Sequence, residues 1–444
     1  MNGRAPAPAS PRNEPDPALR TARRNYRLGV WNGIFFNVGE TFIDPATVLA
    51  LFVSRLTTQS WLVGLAASAW EMGWYLPQVL TIHFLEQRRR RLPLYRAMAA
   101  LRFVGLFIAL AGILAFGDRR PDLTLGVFLF GHVVFSFAGG FAAVSFYDVL
   151  GRTVPMDWHP RLWAQRLFFG GLAAALCGAA IQQLLALPDF RMRFGSLFAL
   201  GTLFIAVGAL LWTLADEPPV EVSRKEMHMA DHLRENLRVA WRDPAFRALY
   251  GTRVALAGAS IATPFFVVYA VRFLALPSAV VAGFLSARIV GYVGANLVWQ
   301  RVATRRGSRA LMRVVSIMAV GAPLIALLTP LLPAAGPSRG LALSLAFACL
   351  GATVSGTNIG YQSLLLAIAP VARRPSYVGL MNSFVGPATA LPALGGLLVD
   401  ATRPAAIFAV SIACAFGAFA LAARLPQGVV ADARPGPDRE GPAG

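Results

Sequence analysis

The sequence has 444 residues, of which 56% are hydrophobic and only 14% are Asp, Glu, Lys or Arg. A water-soluble protein would be expected to carry roughly 25% charged residues, so this composition excludes an ordinary soluble domain. The net charge of +19 would suit a nucleic-acid ligand, but the basic residues lie mainly in the tails and in the connections between apolar runs. That placement is typical of membrane topology and excludes a nucleic-acid partner.

Apolar runs of about 20 residues recur along the chain, and each is long enough to cross a hydrocarbon core of about 30 Å as a helix. Membrane β-barrels would instead show alternating segments of about ten residues. The sequence therefore predicts an all-α integral membrane protein with about twelve transmembrane helices. In chain order, the predicted spans 1 to 12 lie near residues 31–53, 61–85, 94–116, 123–148, 167–187, 194–214, 248–271, 279–298, 310–332, 340–369, 376–399 and 404–423.

The two ends of the chain are predicted to be disordered cytoplasmic tails. Residues 1–30 are rich in Pro, Ala and Arg, and residues 425–444 are rich in Pro and Gly, which are compositions that do not support a packed core. Most of the 41 Lys and Arg residues fall in the tails and in every second connection. By the positive-inside rule, this asymmetry places both termini in the cytoplasm, and we expect the plasma (inner) membrane.

The longest connection, residues 215–247, divides the spans into six-helix bundles over residues 31–214 and 248–424. Within it, Ala230, Leu233, Leu237 and Trp241 recur at helical spacing before Asp243–Pro244. This pattern predicts an amphipathic helix that lies in the membrane interface, or a solvated linker helix.

The two halves of the chain resemble each other at a nearly constant offset, which indicates an internal repeat. Gly33 and Gly251 lie 218 residues apart. The same offset relates Ser68, Gly73, Trp74 and Gln78 to Ser286, Gly291, Tyr292 and Asn296, and Pro45 has a counterpart in Pro264. Because a six-helix unit begins both copies on the same side, the sequence predicts a parallel repeat about an axis along the membrane normal.

This architecture resembles the major facilitator superfamily, in which two six-helix bundles are joined by a long cytoplasmic loop. The connections after spans 2 and 8 stand where that family carries a G-x-x-x-D-R-x-G-R-type motif. The second copy keeps R-x-G in Arg305, Arg306 and Gly307, with Arg309 nearby, but has Thr304 and Gln300 where the motif has Asp and its leading Gly. The first copy, residues 86–91, keeps an acid and a basic run without the glycines. The resemblance implies a transporter in which span 1 lines a central cavity.

Ionisable side chains within the spans are the first candidates for a functional site, because each costs at least about 2.5–3.5 kcal/mol at the bilayer centre. Glu40 and Asp44 lie four residues apart on one face of span 1, which Asn37 shares. Two carboxylates this close in a low dielectric should titrate as a coupled pair, which suits a proton-coupled carrier. Alternatively, they stay ionised and hold helices together by pairing with an Arg. Pro45 predicts a bend in this span.

Glu71 in span 2 and Arg288 in span 8 occupy nearly equivalent depths in the two halves. We predict that they pair across the cavity in one state and separate in another. Alternatively, Arg288 binds an anionic group of the substrate or neutralises a nearby carboxylate. Arg102 and Arg253 lie nearer the cytoplasmic ends of their spans, so snorkelling to the interface explains them.

Several uncharged residues complete the candidate site. Asn358 and Gln362 share a face of span 10 as plausible substrate contacts, although interhelical hydrogen bonding explains such residues almost as well. Trp70, Trp74 and Tyr75 would line a cavity for an amphipathic or planar solute, or would pack in the core or face lipid. Asp148 closes span 4 on the cytoplasmic side, where gate contacts would lie.

The sequence contains no nucleotide-binding loop and no metal-ligand or nucleophile motif. It therefore predicts a secondary active transporter for a small solute, coupled to protons through the acids of spans 1 and 2. We expect protons and membrane lipids as further partners, no cofactor or metal, no ATP or nucleic acid, and a monomer. The alternatives are a membrane enzyme acting on lipid-linked substrates, a non-transporting sensor of the same fold, and an inverted-repeat transporter. The solute and the direction of transport stay open.

Overall fold

A computed structural model describes residues 17–78, 81, 88–219, 238, 241–369 and 374–426, and it contains helices and no strand within these ranges. Most of the predicted linker helix lies outside the described residues, as do the outer parts of both tails and residues 86 and 87 of the first loop motif. The first half of the molecule comprises spans 1–6, and the second half comprises spans 7–12.

The first half consists of long helices whose ends follow from local sequence. Pro121 begins the span 4 helix, where its missing N–H costs nothing. The Asp189 carboxylate accepts from the Met192 N–H at 2.8 Å and caps span 6. The helices are Pro17–Phe42 and Val48–Leu56 in span 1, Ser60–Tyr75 in span 2, Leu92–Phe116 in span 3, Pro121–Thr153 in span 4, His159–Leu185 in span 5 and Phe190–Thr213 in span 6.

The second half follows the same order with more interruptions. Span 7 is Pro244–Ala259 followed by short turns and Phe265–Val268, spans 8 and 9 lie in Val280–Leu328, span 10 is Ser338–Ile368, span 11 is Arg374–Val385 and Leu391–Ala401, and span 12 is Pro404–Ala422. Gly307 separates spans 8 and 9 at a φ of 81°, a conformation that favours glycine. This explains why the glycine of the degenerate second loop motif is kept.

The described residues contain nine stretches that are long and apolar enough to cross a membrane. One of them, Val280–Leu331, holds both span 8 and span 9. Span 1 is not among the nine stretches because its apolar run is broken near Pro45. Span 2 is not among them because its regular helix, Ser60–Tyr75, has only 16 residues. With these taken into account, the twelve predicted helices are confirmed.

The prediction of a disordered tail up to residue 30 is wrong from residue 17 onward, since the first helix begins at Pro17. The polar first part of this helix is held by the residues that follow span 6. The Asn25 amide donates to the Asp216 carbonyl at 2.8 Å, and Arg24 pairs with the Asp216 carboxylate at 2.8 Å. These bonds join segments that are distant in sequence, so composition alone could not predict that residues 17–30 are helical.

Three spans are broken near the middle of the molecule. Span 1 is interrupted at Asp44–Pro45, span 7 near Pro264, and span 11 at Gly386–Pro387. Proline lacks the N–H that continues the helical ladder and clashes with the preceding turn. The bend predicted at Pro45 is confirmed, and its repeat counterpart Pro264 lies at an equivalent break.

The buried apolar core is shared between the halves at one end and divided at the other. At the predicted outer side, one cluster contains Val48–Val53 of span 1 and Phe265–Val268 of span 7. At the predicted cytoplasmic side, three further clusters are each confined to one half. Span 2 packs closely on span 11 at the shared end, with Gly64 against the backbone of Pro392. The halves therefore share their apolar core at the predicted outer side, and nearer the predicted cytoplasmic side the Asn382 amide of span 11 donates to Gln78 of span 2 at 3.1 Å.

Candidate functional site: a cavity between the two halves

A cavity of about 260 Å³ lies between the halves, beside the breaks in spans 1, 7 and 11. Spans 1 and 2 of the first half line it together with spans 7, 8, 10 and 11 of the second. The polar side chains of its lining are Glu71, Tyr75, Arg253, Ser260, Thr263, Arg288, Thr353, Thr357, Asn358 and Thr389.

Asp44 and Arg288 form an ion pair across the two halves, through Asp44 Oδ2 and Arg288 Nη1. The other oxygen, Asp44 Oδ1, accepts from the Ala46 N–H at 3.0 Å and the Thr47 hydroxyl at 2.8 Å. The Asp44 carboxylate thus accepts hydrogen bonds from donors at the break and binds Arg288 at the same time. Of the three roles considered for Arg288, this geometry corresponds to neutralisation of a nearby carboxylate.

Glu71 projects from span 2 into the cavity, where its side chain is exposed. Among the described residues, its carboxylate has no ion-pair or hydrogen-bond partner. The strongest attractive charges on it are those of Arg253 and then Arg288. The predicted ion pair between Glu71 and Arg288 is not formed, because Arg288 is held by Asp44.

Arg253 lies inside the molecule and does not snorkel to its surface, which corrects the prediction. It is nine residues into the helix that begins at Pro244, about 14 Å along the axis. Its guanidinium lies 5.1 Å from the ring centroid of Tyr361 and beside the Tyr75 hydroxyl. The apolar pattern puts the start of span 7 at residue 248, which makes Arg253 look closer to the interface than it is.

Glu40 and Asp44 face different cations, although both belong to span 1. Arg102 exerts the strongest attraction on the Glu40 carboxylate. It is only 7% exposed, within the first half, with its guanidinium 4.8 Å from the Phe36 ring centroid and 4.6 Å from that of Phe135. The snorkelling prediction is therefore wrong for Arg102 as well. The shared face inferred for Glu40 and Asp44 is lost because the first helix ends at Phe42.

The other polar candidates are divided between the cavity and the helix packing. Asn358 belongs to the cavity lining, and Gln362, one turn further on, is exposed outside it. Asn37 donates to the Gly33 carbonyl at 2.8 Å and packs against Gly170 of span 5. The structure thus brings Asn358 to the cavity but not Asn37.

The three aromatic candidates also separate. Tyr75 lines the cavity. Trp70 packs inside the first half, with ring centroids 5.8 Å from His132 and 5.3 Å from Phe135. Trp74 is half-buried and outside the cavity lining.

A family model for the Major Facilitator Superfamily matches residues 30–391. The chain belongs to the Major Facilitator Superfamily. It is therefore a membrane transport protein and not an enzyme. Comparison with curated protein sequences gives no match.

Solved structures of other transporters share the superfamily fold with this chain. A mutant of the nucleoside transporter NupG aligns with a TM-score of 0.69 at 12% identity, over 91% of this chain and 100% of that one. A bacterial homologue of the iron transporter ferroportin, in its inward-facing state, aligns at 0.67 and 15%, over 91% and 98%. The inward-open xylose transporter XylE from E. coli aligns at 0.63 and 14%, over 90% and 96%. At these identities the likeness concerns the fold alone.

The superfamily loop positions carry charge networks of unequal strength at the predicted cytoplasmic side. In the first half, Asp148 pairs with Arg91 and Arg152. Glu217 accepts from Arg152 at 2.8 Å and from the Leu92 N–H at 2.7 Å. In the second half, Arg305, Arg306 and Arg309 make no ion pair with a described residue. Glu217 follows span 6 in a connection without periodicity, so no pattern in the sequence indicates its role.

Polar contacts also join the halves of this superfamily member at the predicted outer side. The Asp400 carboxylate accepts from the Ser60 N–H at 2.8 Å and the Trp61 N–H at 3.1 Å, so an acid of span 11 caps the helix of span 2. The Arg272 guanidinium of span 7 donates to the carbonyls of Ser54, in the last turn of span 1, and of Thr57, just after it. We refer to the contacts of Asp400 and Arg272 as the outer latch. Nothing in the sequence pairs these residues, since each reaches a backbone group of a distant segment.

Proposed function

We propose that the protein is a proton-coupled secondary active transporter that moves a small solute by alternating access. The observation that carries this proposal is the cavity between the halves, with acids from one half and arginines from the other. An ion pair across an interface that moves, such as Asp44 with Arg288, stabilises one arrangement of the halves over another. The cavity thus combines a solute site with a charge-sensitive switch.

The arrangement of the core supports an inward-open state. The halves share their apolar core and the outer latch at the predicted outer side, whereas their cores are separate at the predicted cytoplasmic side. Rocking about the cavity would break the outer latch and bring the separate ends together. The basic residues at the predicted cytoplasmic ends support cytoplasmic termini in the plasma membrane.

The proposal gives the acids different roles. Glu71 lies in the cavity without an ion-pair partner among the described residues, so it is the group best placed to gain and lose a proton as access changes. Protonation of Asp44 would release Arg288 and loosen the contact between the halves. Glu40 is coupled to Arg102 inside the first half and would respond to changes within that bundle.

Proteoliposomes with an imposed pH gradient test the proposal. Purified wild type, Glu71→Gln and Asp44→Asn would be compared for uptake of a panel of labelled sugars, nucleosides, amino acids, organic acids and amines. Asp118→Asn is a matched control, since Asp118 is exposed in the connection between spans 3 and 4. We expect pH-driven accumulation by wild type and the control, and gradient-independent exchange by Glu71→Gln.

Two results would contradict this function. Absence of pH-driven flux for every solute, with variants that differ only in stability, would show that the acids are structural. Accumulation by Glu71→Gln with the same pH dependence as wild type would remove Glu71 from the coupling step.

A further inference from the structure

The charges of the cavity do not all neutralise one another. Asp44 and Arg288 satisfy each other across the halves. That pair leaves one cation, Arg253 of the second half, and one anion, Glu71 of the first half, in the cavity lining without an ion-pair partner among the described residues. Since no ion pair joins them, their charged atoms are more than 4.0 Å apart. The cavity therefore presents one separated positive and one separated negative charge.

The surroundings of Arg253 fix its guanidinium for ligand binding. The ring of Tyr361 lies against one face, a geometry that favours a cation and restricts its motion. One part of the guanidinium faces the Tyr75 hydroxyl, and its other N–H donors suit a planar anionic group such as a carboxylate. Thr357 and Asn358 of span 10 line the same cavity and supply further hydrogen-bonding groups.

The environment of Glu71 suits a positively charged group. Its carboxylate is an acceptor exposed to the cavity, and an ammonium group offers three donors to it. Coulomb attraction falls with distance. A ligand with both charges would therefore replace one longer attraction, between Arg253 and Glu71, by two short ones.

The size of the cavity limits the ligand. Its volume of about 260 Å³ lies just below the range of roughly 300–1,000 Å³ that is usual for drug-sized ligands. A compact solute fits this space, and a large planar or amphipathic one does not.

We infer that the transported solute is a compact zwitterion, whose anionic group binds Arg253 and whose cationic group binds Glu71. This inference rests on the proposed function of the cavity as the transport site.

Binding to the purified protein in detergent tests the class without any gradient. The probes are the neutral proteinogenic amino acids and glycine betaine, followed, for each amino acid that binds, by its N-acetyl derivative and its amide. The N-acetyl derivative lacks the positive charge, and the amide lacks the negative one. We expect at least one zwitterion to bind, and both its derivatives to bind about tenfold or more weakly, as loss of a charged hydrogen bond predicts.

Variants assign each charge of the ligand to its residue. Arg253→Gln should bind the amide as well as the zwitterion, and Glu71→Gln should bind the N-acetyl derivative as well as the zwitterion. Arg253→Lys keeps the positive charge and should keep the preference for the zwitterion over the amide, which guards against a variant that simply misfolds. Arg313→Gln is the matched control, since Arg313 also lies on an aromatic ring, 4.6 Å from the Phe419 centroid, but outside the cavity.

The inference is overturned if no zwitterion of the panel binds, or if a derivative with a single charge binds as tightly as its zwitterion. It is also overturned if Arg313→Gln alters selectivity as much as Arg253→Gln. Zwitterion binding without pH-driven uptake would contradict the proposed coupling and leave this inference standing. Uptake driven by pH for a solute that lacks one charge would support the proposed coupling and contradict this inference.

Discussion

Arg288 of span 8 pairs with Asp44 of span 1 at the residue before Pro45, where that span is broken. The same carboxylate accepts from the Ala46 N–H and the Thr47 hydroxyl. One side chain therefore supports both the restart of the span 1 helix and the contact between the halves. Neutralising it should affect the protein more than neutralising an acid in a peripheral pair.

We predict that Asp44→Asn lowers the free energy of unfolding by about 1–3 kcal/mol. The side chains of the pair are 14% and 23% exposed, so removal of one partner costs less than for a fully buried pair but more than at the surface. Denaturant titration in detergent micelles measures the change. In Asp44→Asn/Arg288→Gln, the loss should be smaller than the sum of the single losses.

The pair of Arg24 and Asp216 provides the comparison, because its side chains are 54% and 47% exposed. Asp216→Asn should cost less than about 1 kcal/mol. Equal losses in Asp44→Asn and Asp216→Asn would show that the pair between the halves has no special weight.

Asp400 is predicted to hold the predicted outer side closed. Asp400→Asn weakens a charge-assisted cap on Ser60 and Trp61, worth about 1–2 kcal/mol, and should shift the population towards opening on that side. A cysteine at Ala67 in the cavity lining, in a background without Cys177, Cys349 and Cys414, reports the shift. We expect faster alkylation by an impermeant maleimide added from the predicted outer side.

Asp189→Asn controls for the loss of a cap as such. Asp189 caps the helix of span 6 through the Met192 N–H. Both residues belong to the first half, so this cap does not join the halves. It should lower stability without changing alkylation at position 67. A change of similar size in both variants would contradict the role of the outer latch.

The contact of span 2 with span 11 depends on Gly64. A Cβ at this position would meet the carbonyl group of Pro392, and Ala393 Cα at 2.9 Å. Because these are backbone atoms, they cannot move aside without moving span 11. We predict that Gly64→Ala slows transport and opens the predicted outer side, measured by uptake and by alkylation at position 67.

Gly126→Ala is the matched substitution in span 4, since a Cβ there meets nothing within 4 Å. It should leave transport unchanged and raise stability by about 0.5–1 kcal/mol through helix propensity. If Gly64→Ala behaves like Gly126→Ala, the close approach of spans 2 and 11 is not needed for the transport cycle.

The sequence is sufficient to predict the helices and the break at Pro45 but not the partners of the charges. Apolar runs set the spans, and Pro45 and Pro264 set two of the breaks, because these effects act within a few residues along the chain. Arg288 and Glu71 lie at similar depths in their spans, so the sequence predicts that they pair. In the structure, Arg288 pairs with Asp44 instead, because the break at Pro45 turns Asp44 out of the helix. Partners of this kind depend on rotations between distant segments, which residue spacing does not encode.

Glu217 is predicted to matter more for stability than the predicted gate residue Asp148. Its side chain is 2% exposed and accepts from Arg152 and from the N–H groups of Arg91 and Leu92 at the start of span 3. Asp148 is 27% exposed, and the described residues that bind its carboxylate do so through the long side chains of Arg91 and Arg152. Glu217→Gln should therefore cost about 1.5–3 kcal/mol, and Asp148→Asn roughly 0.5–1 kcal/mol.

Denaturant titration of the two variants in detergent decides between them. The larger loss in Glu217→Gln follows from two backbone donors of span 3 that would face a weaker acceptor in a buried place. If Asp148→Asn proves the more damaging of the two, the network is anchored on span 4 and not on the chain after span 6. In that case its arginines respond to movement of span 4, as a gate at the predicted cytoplasmic side requires.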